Sequence, residues 1–255
     1  VQARPARDIG FEIGRLAILA AAVLPTAFCS DYRLFQLTMV VVYGLAILGL
    51  AILTGINGQI SLGHGAFYAI GAYTSAILME NFGVNYALTL PVCGVLCFGF
   101  GYLFGLPALR LSGIYLALAT FALATAMPQL LKLHYFEHWT GGVQGLVITK
   151  PDAPFGLPMS QDMWLYYFVL VVSMAIYVAS VNLLKSRSGR AMMAIRDQAV
   201  AAETMGIDIA LYKTVTFGIS AAYTGIAGAL SASAIAFVAP DSFNIFLSIP
   251  LPGPA

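Results

Sequence analysis

Six stretches of about twenty residues each contain no Asp, Glu, Lys or Arg: 34–54, 60–79, 86–109, 111–131, 163–184 and 214–240. A helix rises about 1.5 Å per residue, so about 20 apolar residues cross the roughly 30 Å hydrocarbon core of a bilayer. With 60% hydrophobic and 9% charged residues, the chain has too little charge to wet the surface of a soluble domain of its length. The expected fold class is all-α, a polytopic transmembrane helical bundle.

A shorter apolar run, 16–30, follows a stretch carrying Arg4, Arg7 and Arg15. Such a start also fits a secretory signal, but small residues fill the run without marking a cleavage site. Counting it as a retained span gives about seven spans. The domain reading is then a cytoplasmic N-terminal segment 1–15, a transmembrane domain 16–249 and a Pro-rich tail 250–255. With the N-terminus in the cytoplasm, Arg4, Arg7, Arg15, Arg110, Lys185, Arg187, Arg190, Arg196 and Lys213 fall inside, and only Arg33, Lys132 and Lys150 outside. That is the positive-inside asymmetry, obtained from residues that played no part in finding the spans. The acidic residues divide almost evenly, as expected when Lys and Arg alone report orientation.

Two loops stand out. The outer loop 132–162 is broken by Pro151, Pro154, Pro158 and several glycines. The inner loop 185–213 carries Met192, Ile195, Ala199, Ala202 and Met205 at three- and four-residue spacing, with Arg190 and Asp197 on another face. Ser188 is the expected N-cap and Gly206 the expected terminator of one short amphipathic helix there. Such a helix serves equally as a membrane-surface anchor or as a docking element for a partner.

Within the spans, Gly101 and Gly105 form a GxxxG pair, and Ser61 with Gly65, Gly71 with Ser75, and Ala221 with Gly225 and Ala229 form small-xxx-small rows. These rows specify helix packing, not chemistry. Cys93 and Cys97 lie one helical turn apart without His or carboxylate companions, which favours packing over metal binding. The tract 55–61 is unusual, packing Gly55, Asn57, Gly58, Gln59 and Ser61 between two apolar runs, with His64 one turn further on. A loop this polar and uncharged reaches membrane depth only where its backbone faces protein or a wet cavity. Asn57, Gln59, Ser61 and His64 are therefore the candidates for lining a wet region at membrane depth, which in a transport protein would be the translocation pathway. The alternative for His64 is a neutral imidazole satisfied by a neighbouring carbonyl, and no carboxylate lies within the spans to form a proton relay with it.

Catalytic patterns are missing: there is no GxSxG, no HExxH, no paired carboxylates within a span, and no GxxxxGK[ST] phosphate loop. The chain therefore reads as one with no enzyme activity, no metal and no cofactor of its own. His134, Glu137 and His138 match an HxxEH order, but lie beside Tyr135, Phe136 and Trp139 as a membrane-interface belt would.

The stretch LTGINGQISLGHGAFYAIGAYTS, residues 53–75, resembles the signature of the branched-chain amino acid ABC-transporter permeases, in particular the LivM-type subunit. LRLSGIYLALATFALA (109–124), WTGGVQGL (139–146, with Thr140, Gly141 and Gly142 as the outer-loop motif) and RSGRAMMAIRDQAVAAETMGIDIALYK (187–213) are similar to later family motifs in the same order. The resemblance implies a multi-pass subunit of the bacterial inner membrane, part of a binding-protein-dependent importer for branched-chain or related amino acids. The implied partners are a second, LivH-type permease, two ATPase subunits that bind ATP and Mg, and a periplasmic substrate-binding protein; nucleic acid has no part. The amphipathic helix becomes a coupling helix, with Ala201, Ala202, Glu203 and Gly206 matching the family's Ala-Ala-Glu-x-x-Gly pattern. Members continue into further C-terminal membrane helices, and the expectation is that these are missing here, since the apolar run 242–249 is too short to cross. A urea or short-amide permease of the same superfamily shares most of these motifs. An ion-coupled secondary carrier is the alternative from another class.

Overall fold

The computed structural model describes residues 30–109, 111, 113–151 and 159–240. The segment 1–15, nearly all of the 16–30 run, the 242–249 run and the tail 250–255 lie outside the described residues. Helices dominate. The chain forms α1 (Asp31–Ala51), which continues into a π-helical turn (Ile52–Ile56), then α2 (His64–Phe82), α3 (Tyr86–Ala108) and α4 (Ile114–Leu131). After these come a short α5 (His134–Thr140), β1 (Leu146–Val147), α6 (Gln161–Lys185), α7 (Arg187–Asp197), α8 (Ala199–Thr204), α9 (Ile209–Ile235) and β2 (Phe237–Val238).

Helix ends follow local chemistry. The Asn85 side chain accepts the Ala87 N–H at the start of α3, Ser160 accepts from Met163 at α6, and Asp208 accepts from Leu211 at α9. Each pairing satisfies one of the donors that the first helical turn leaves free. Gly83 ends α2 in the left-handed region at φ 60°, where glycine meets no steric penalty.

Among the described residues, α1 with its π turn, α3, α4, α6 and α9 are long and apolar enough to cross a membrane. The 19-residue α2 occupies the place of the 60–79 stretch. Burial explains why α2 and α9 can be less apolar than the rest. In α9, 78% of the most apolar stretch lies inside the protein, against 11% in α6. A helix wrapped by other helices needs no lipophilic surface, whereas α6, little buried by the rest of this chain, keeps an apolar surface.

The core is accordingly built from small residues. α9 packs along α1, α2 and α3 with Gly218, Ala221, Gly225, Ala227, Gly228 and Ala229 buried. A Cβ at Gly71 would run into the Gly225 carbonyl, and one at Gly101 into the Ala221 methyl, so the two backbones touch almost directly. The rows through Gly71, Gly101–Gly105 and Ala221–Gly225 are thus contact lines of the bundle, whereas Ser61 lies in the irregular segment before α2, so the expected Ser61–Gly65 pair is not a helical row. Cys93 and Cys97 sit on the same line, their thiols donating to the Gly71 and Phe67 carbonyls at 3.4 and 3.7 Å. Phe67 fills the remaining gap edge-on to Phe217, with ring centroids 5.8 Å apart.

The two ends of the bundle differ. At one end Ser160 donates to Asp31 at 2.8 Å, Lys150 pairs with Asp162 at 2.7 Å, and Phe82 stacks on Trp139. There β1 pairs antiparallel with β2, tying the outer loop to the end of α9. At the other end lie Gly55, Leu109 and the whole of α7 and α8, together with Lys185, Arg187, Arg190, Arg196 and Lys213. Among the described residues the helix ends alternate between these two ends in the order expected from the sequence.

Three local expectations need correction. α2 begins at His64, not at Ile60, because residues 57–63 run as an irregular segment. The inner amphipathic element is two helices broken at Gln198 (φ −157°, ψ 92°), and its N-cap is Ser186, whose hydroxyl accepts the Gly189 N–H, not Ser188. Finally, α9 starts at Ile209 and stops at Ile235, short of the expected 240, because Ala236 turns left-handed and the chain enters β2.

Candidate functional site

The segment between α1 and α2 concentrates the unusual chemistry. The regular i→i−4 ladder of α1 loosens at its end into a π turn, with Asn57 N–H reaching the Ile52 carbonyl at 3.3 Å and Gln59 N–H the Leu53 carbonyl at 3.2 Å. Such π turns recur at functional sites. Gly58 at φ 71° lets the chain leave the helix axis. Beyond it the irregular segment alternates in burial: Asn57, Gln59, Ser61 and Gly63 are buried while Gly58 and Ile60 are exposed. Every polar side chain of the tract therefore points inward.

Partners exist for only some of these groups. Leu62 N–H donates to the Thr120 hydroxyl of α4 at 2.9 Å, and Gly63 N–H to the Ser61 hydroxyl at 3.3 Å. A Cβ at Gly63 would lie 2.7 Å from the Thr120 carbonyl, so this junction with α4 demands glycine. Both amide atoms of Asn57, Oε1 of Gln59 and Nδ1 of His64 are buried with no hydrogen-bond partner among the described residues. Leaving such a group unpaired typically costs about 1–3 kcal/mol.

His64 is placed by a relay. Its Nε2 lies 2.6 Å from the Ser220 hydroxyl of α9, and that hydroxyl donates to the Gly49 carbonyl of α1 at 2.6 Å. Ser220 has one hydrogen to give and gives it to Gly49, so Nε2 carries the imidazole proton and Nδ1 is left as a bare acceptor. The partner of the ring is therefore a hydroxyl backed by a carbonyl, not the carbonyl itself. Three helices meet at this point. A double-mutant cycle of His64→Ala and Ser220→Ala should give an interaction free energy of about 1–2 kcal/mol in detergent unfolding; additive losses would mean that the pair is not coupled.

At the end of the bundle that carries α7 and α8, the predicted coupling residues divide. Ala202 is buried and holds α8 down alongside Met192 and Ile195 of α7, whereas Ala201, Glu203 and Gly206 are exposed. Val200 and Met205 are 73% and 86% exposed beside them. Gly206, at φ 81°, closes α8 with its N–H on the Glu203 carbonyl at 2.9 Å, and Ile207 N–H reaches the Ala202 carbonyl at 3.1 Å. A depression of about 440 Å³ lined by Leu109, Glu203, Asp208 and Lys213 opens next to it.

The outer-loop motif is a turn. Thr140 is buried, its hydroxyl donating to the Leu131 carbonyl at 2.9 Å and accepting the Gly142 N–H at 3.2 Å. Gly141 and Gly142 both have positive φ, at 68° and 56°. His134 and Glu137 pair with each other at 2.8 Å on the exposed side of α5. Three partners were not foreseen from the sequence: Ser220, Thr120, and Arg196 of α7, whose Nη1 donates to the Gly55 carbonyl at 2.7 Å. The first two are ordinary residues on helix faces, and only the tertiary packing distinguishes them.

Comparison with known proteins gives the family. The family described as "Branched-chain amino acid transport system / permease component" matches residues 32–251. The high-affinity branched-chain amino acid transport system permease protein LivM of Salmonella typhimurium is 33% identical over 253 residues, covering 90% of this chain. LivM of Escherichia coli is 32% identical over 253 residues, with the same 90% coverage. The chain spans 59% of the length of each of these relatives. No solved structure matches significantly. A multi-pass bundle of apolar helices packed through small-residue rows, matched over most of its length, thus belongs to the permease-component family of branched-chain amino acid transport systems.

Proposed function

We propose that this chain is one of two transmembrane halves of an ATP-driven, binding-protein-dependent importer that moves branched-chain or closely related amino acids inward. In this reading the end bearing α7 and α8 faces the cytoplasm of a bacterium, the N-terminus lies on that side, and the membrane is the inner one. The other components are a second, LivH-type permease, two ATPase subunits that bind ATP and Mg, and a periplasmic binding protein.

The observation that carries the proposal is the α7–α8 pair. It is rooted in the bundle through Met192, Ile195 and Ala202, yet turns Val200, Ala201, Glu203 and Met205 outward at the end richest in Lys and Arg. Exposed apolar side chains at this basic end of the bundle favour a protein partner seated over them. A rigid pair docked on an ATPase moves with it as nucleotide closes the dimer. Asn57, Gln59, Ser61 and His64 are the candidate pathway. Their unpaired atoms suit a segment that becomes wet, or meets polar cargo, in another state of the transport cycle. The Thr140–Gly142 turn keeps the outer loop in shape and touches no cargo in this reading.

The test is uptake by the complete complex in proteoliposomes. Labelled leucine should enter only with ATP on the α7–α8 side and binding protein on the other. Uptake driven by an ion gradient without ATP, or labelling of a tag in loop 185–213 from outside intact cells, would overturn the proposal.

A further inference from the structure

We infer that Arg196 is a positioning residue that makes the polar segment 57–64 move with α7. This rests on the proposed docking of α7–α8 to an ATPase and adds the route by which its movement reaches the membrane interior. Arg196 stands at the last turn of α7 and reaches across to a segment 141 positions away in sequence. Asp197 Oδ1 accepts from its Nε and Nη2 at 3.0 and 2.9 Å, which orients the guanidinium and leaves Nη1 for the Gly55 carbonyl at 2.7 Å.

Gly55 lies in the π turn, where carbonyls lose their intrahelical partners, and a cation is the favoured cap for such an end. A cap supplied by the helix itself would only stabilise α1. This one comes from the element proposed to carry the ATPase. The second contact is steric: a Cβ at Gly58 would stand 2.9 Å from Arg196 Cγ, so the arginine stem crosses the backbone of the polar segment directly. Asn57 adjoins Gly58 on one side, and on the other the chain runs through Gln59 and Ser61 to His64, which is bonded to Ser220 and through it to Gly49. Displacement of α7 thus pulls first on the segment whose buried polar atoms lack partners. The Arg196 side chain is 42% exposed, so the bond can break and re-form during a cycle.

The experiment uses the assembled complex in proteoliposomes and reads leucine imported per ATP hydrolysed. Arg196→Met keeps the apolar stem over Gly58 and removes the donor; the ratio should fall about tenfold. Arg196→Lys, which retains a donor and the charge, should recover part of the loss. A native ratio for Arg196→Met overturns the inference, and so does a Lys variant no better than Met. Should Arg196→Met fail to assemble, spin labels decide with Arg196 in place. Labels go on Arg187→Cys paired with Ile60→Cys, and on Arg187→Cys paired with Tyr115→Cys on α4. Between nucleotide-free and ATP-trapped states the distance to position 115 should change while that to position 60 stays constant. Movement of α7 relative to position 60, or no movement of α7 at all, overturns the inference. Absence of ATP-driven uptake in the unsubstituted complex would instead remove the importer reading itself.

Discussion

Gly71→Val should prevent the bundle from assembling. A Cβ at this position overlaps the Gly225 carbonyl on α9, and the obstacle is backbone, so no rotamer change relieves it. Overpacking a tight core costs about 1–3 kcal/mol even where side chains can shift, and here two central helices would have to separate. Gly225→Val meets the Cys97 side chain from the other side and should fail in the same way. Gly44→Ala is the control, because nothing lies within 4 Å of its added Cβ. Alanine is the better helix former by about 0.5–1 kcal/mol, so this variant should be as stable as the native chain or slightly more so. Monodisperse yield and thermal unfolding in detergent check both. A Gly71→Val protein with native yield and melting temperature would show that the α2–α9 contact is not close-packed.

With α7–α8 docked on an ATPase as proposed, Gly206→Val should abolish coupling while Gly206→Asn preserves most of it. Gly206 adopts φ 81° with open space around its missing Cβ, so what matters is backbone conformation rather than room. An L-residue in this region costs about 1–2 kcal/mol, more when β-branched, whereas Asn visits it readily. Losing the turn would release Ile207 N–H from the Ala202 carbonyl and swing α8 away from the start of α9. Substrate-stimulated ATP hydrolysis in the assembled complex should then drop to the unstimulated level for Val and remain for Asn. Equal behaviour of the two variants would detach this turn from the coupling element.

Most of the architecture was legible because lipid imposes simple demands. Uncharged runs of helical length identified the spans, and small residues four apart identified the lines along which helices touch, as Gly71, Gly101 and Gly225 bear out. The candidate segment was also visible, since polar uncharged residues between two apolar runs need a reason. Details set by non-local contacts were not. The break at Gln198 splits a continuous amphipathic pattern into two helices, and the pattern reads the same on either side of it. Ser186 and Ser188 are equally good caps by composition; only the chain's exit from α6 selects Ser186.

Hydrophobic length, small-residue spacing and the placement of Lys and Arg by themselves determined that this chain crosses a membrane repeatedly and which segments share an end. Each of these is a one-dimensional property, because the bilayer sorts residues along a single axis. Which side chains meet across that axis was decided by the tertiary structure alone. His64 on Ser220, Thr120 beneath Leu62 and Arg196 on the Gly55 carbonyl join residues 58 to 156 positions apart. Their pairing depends on helix rotation and depth in the bundle, which packing sets and no local pattern records.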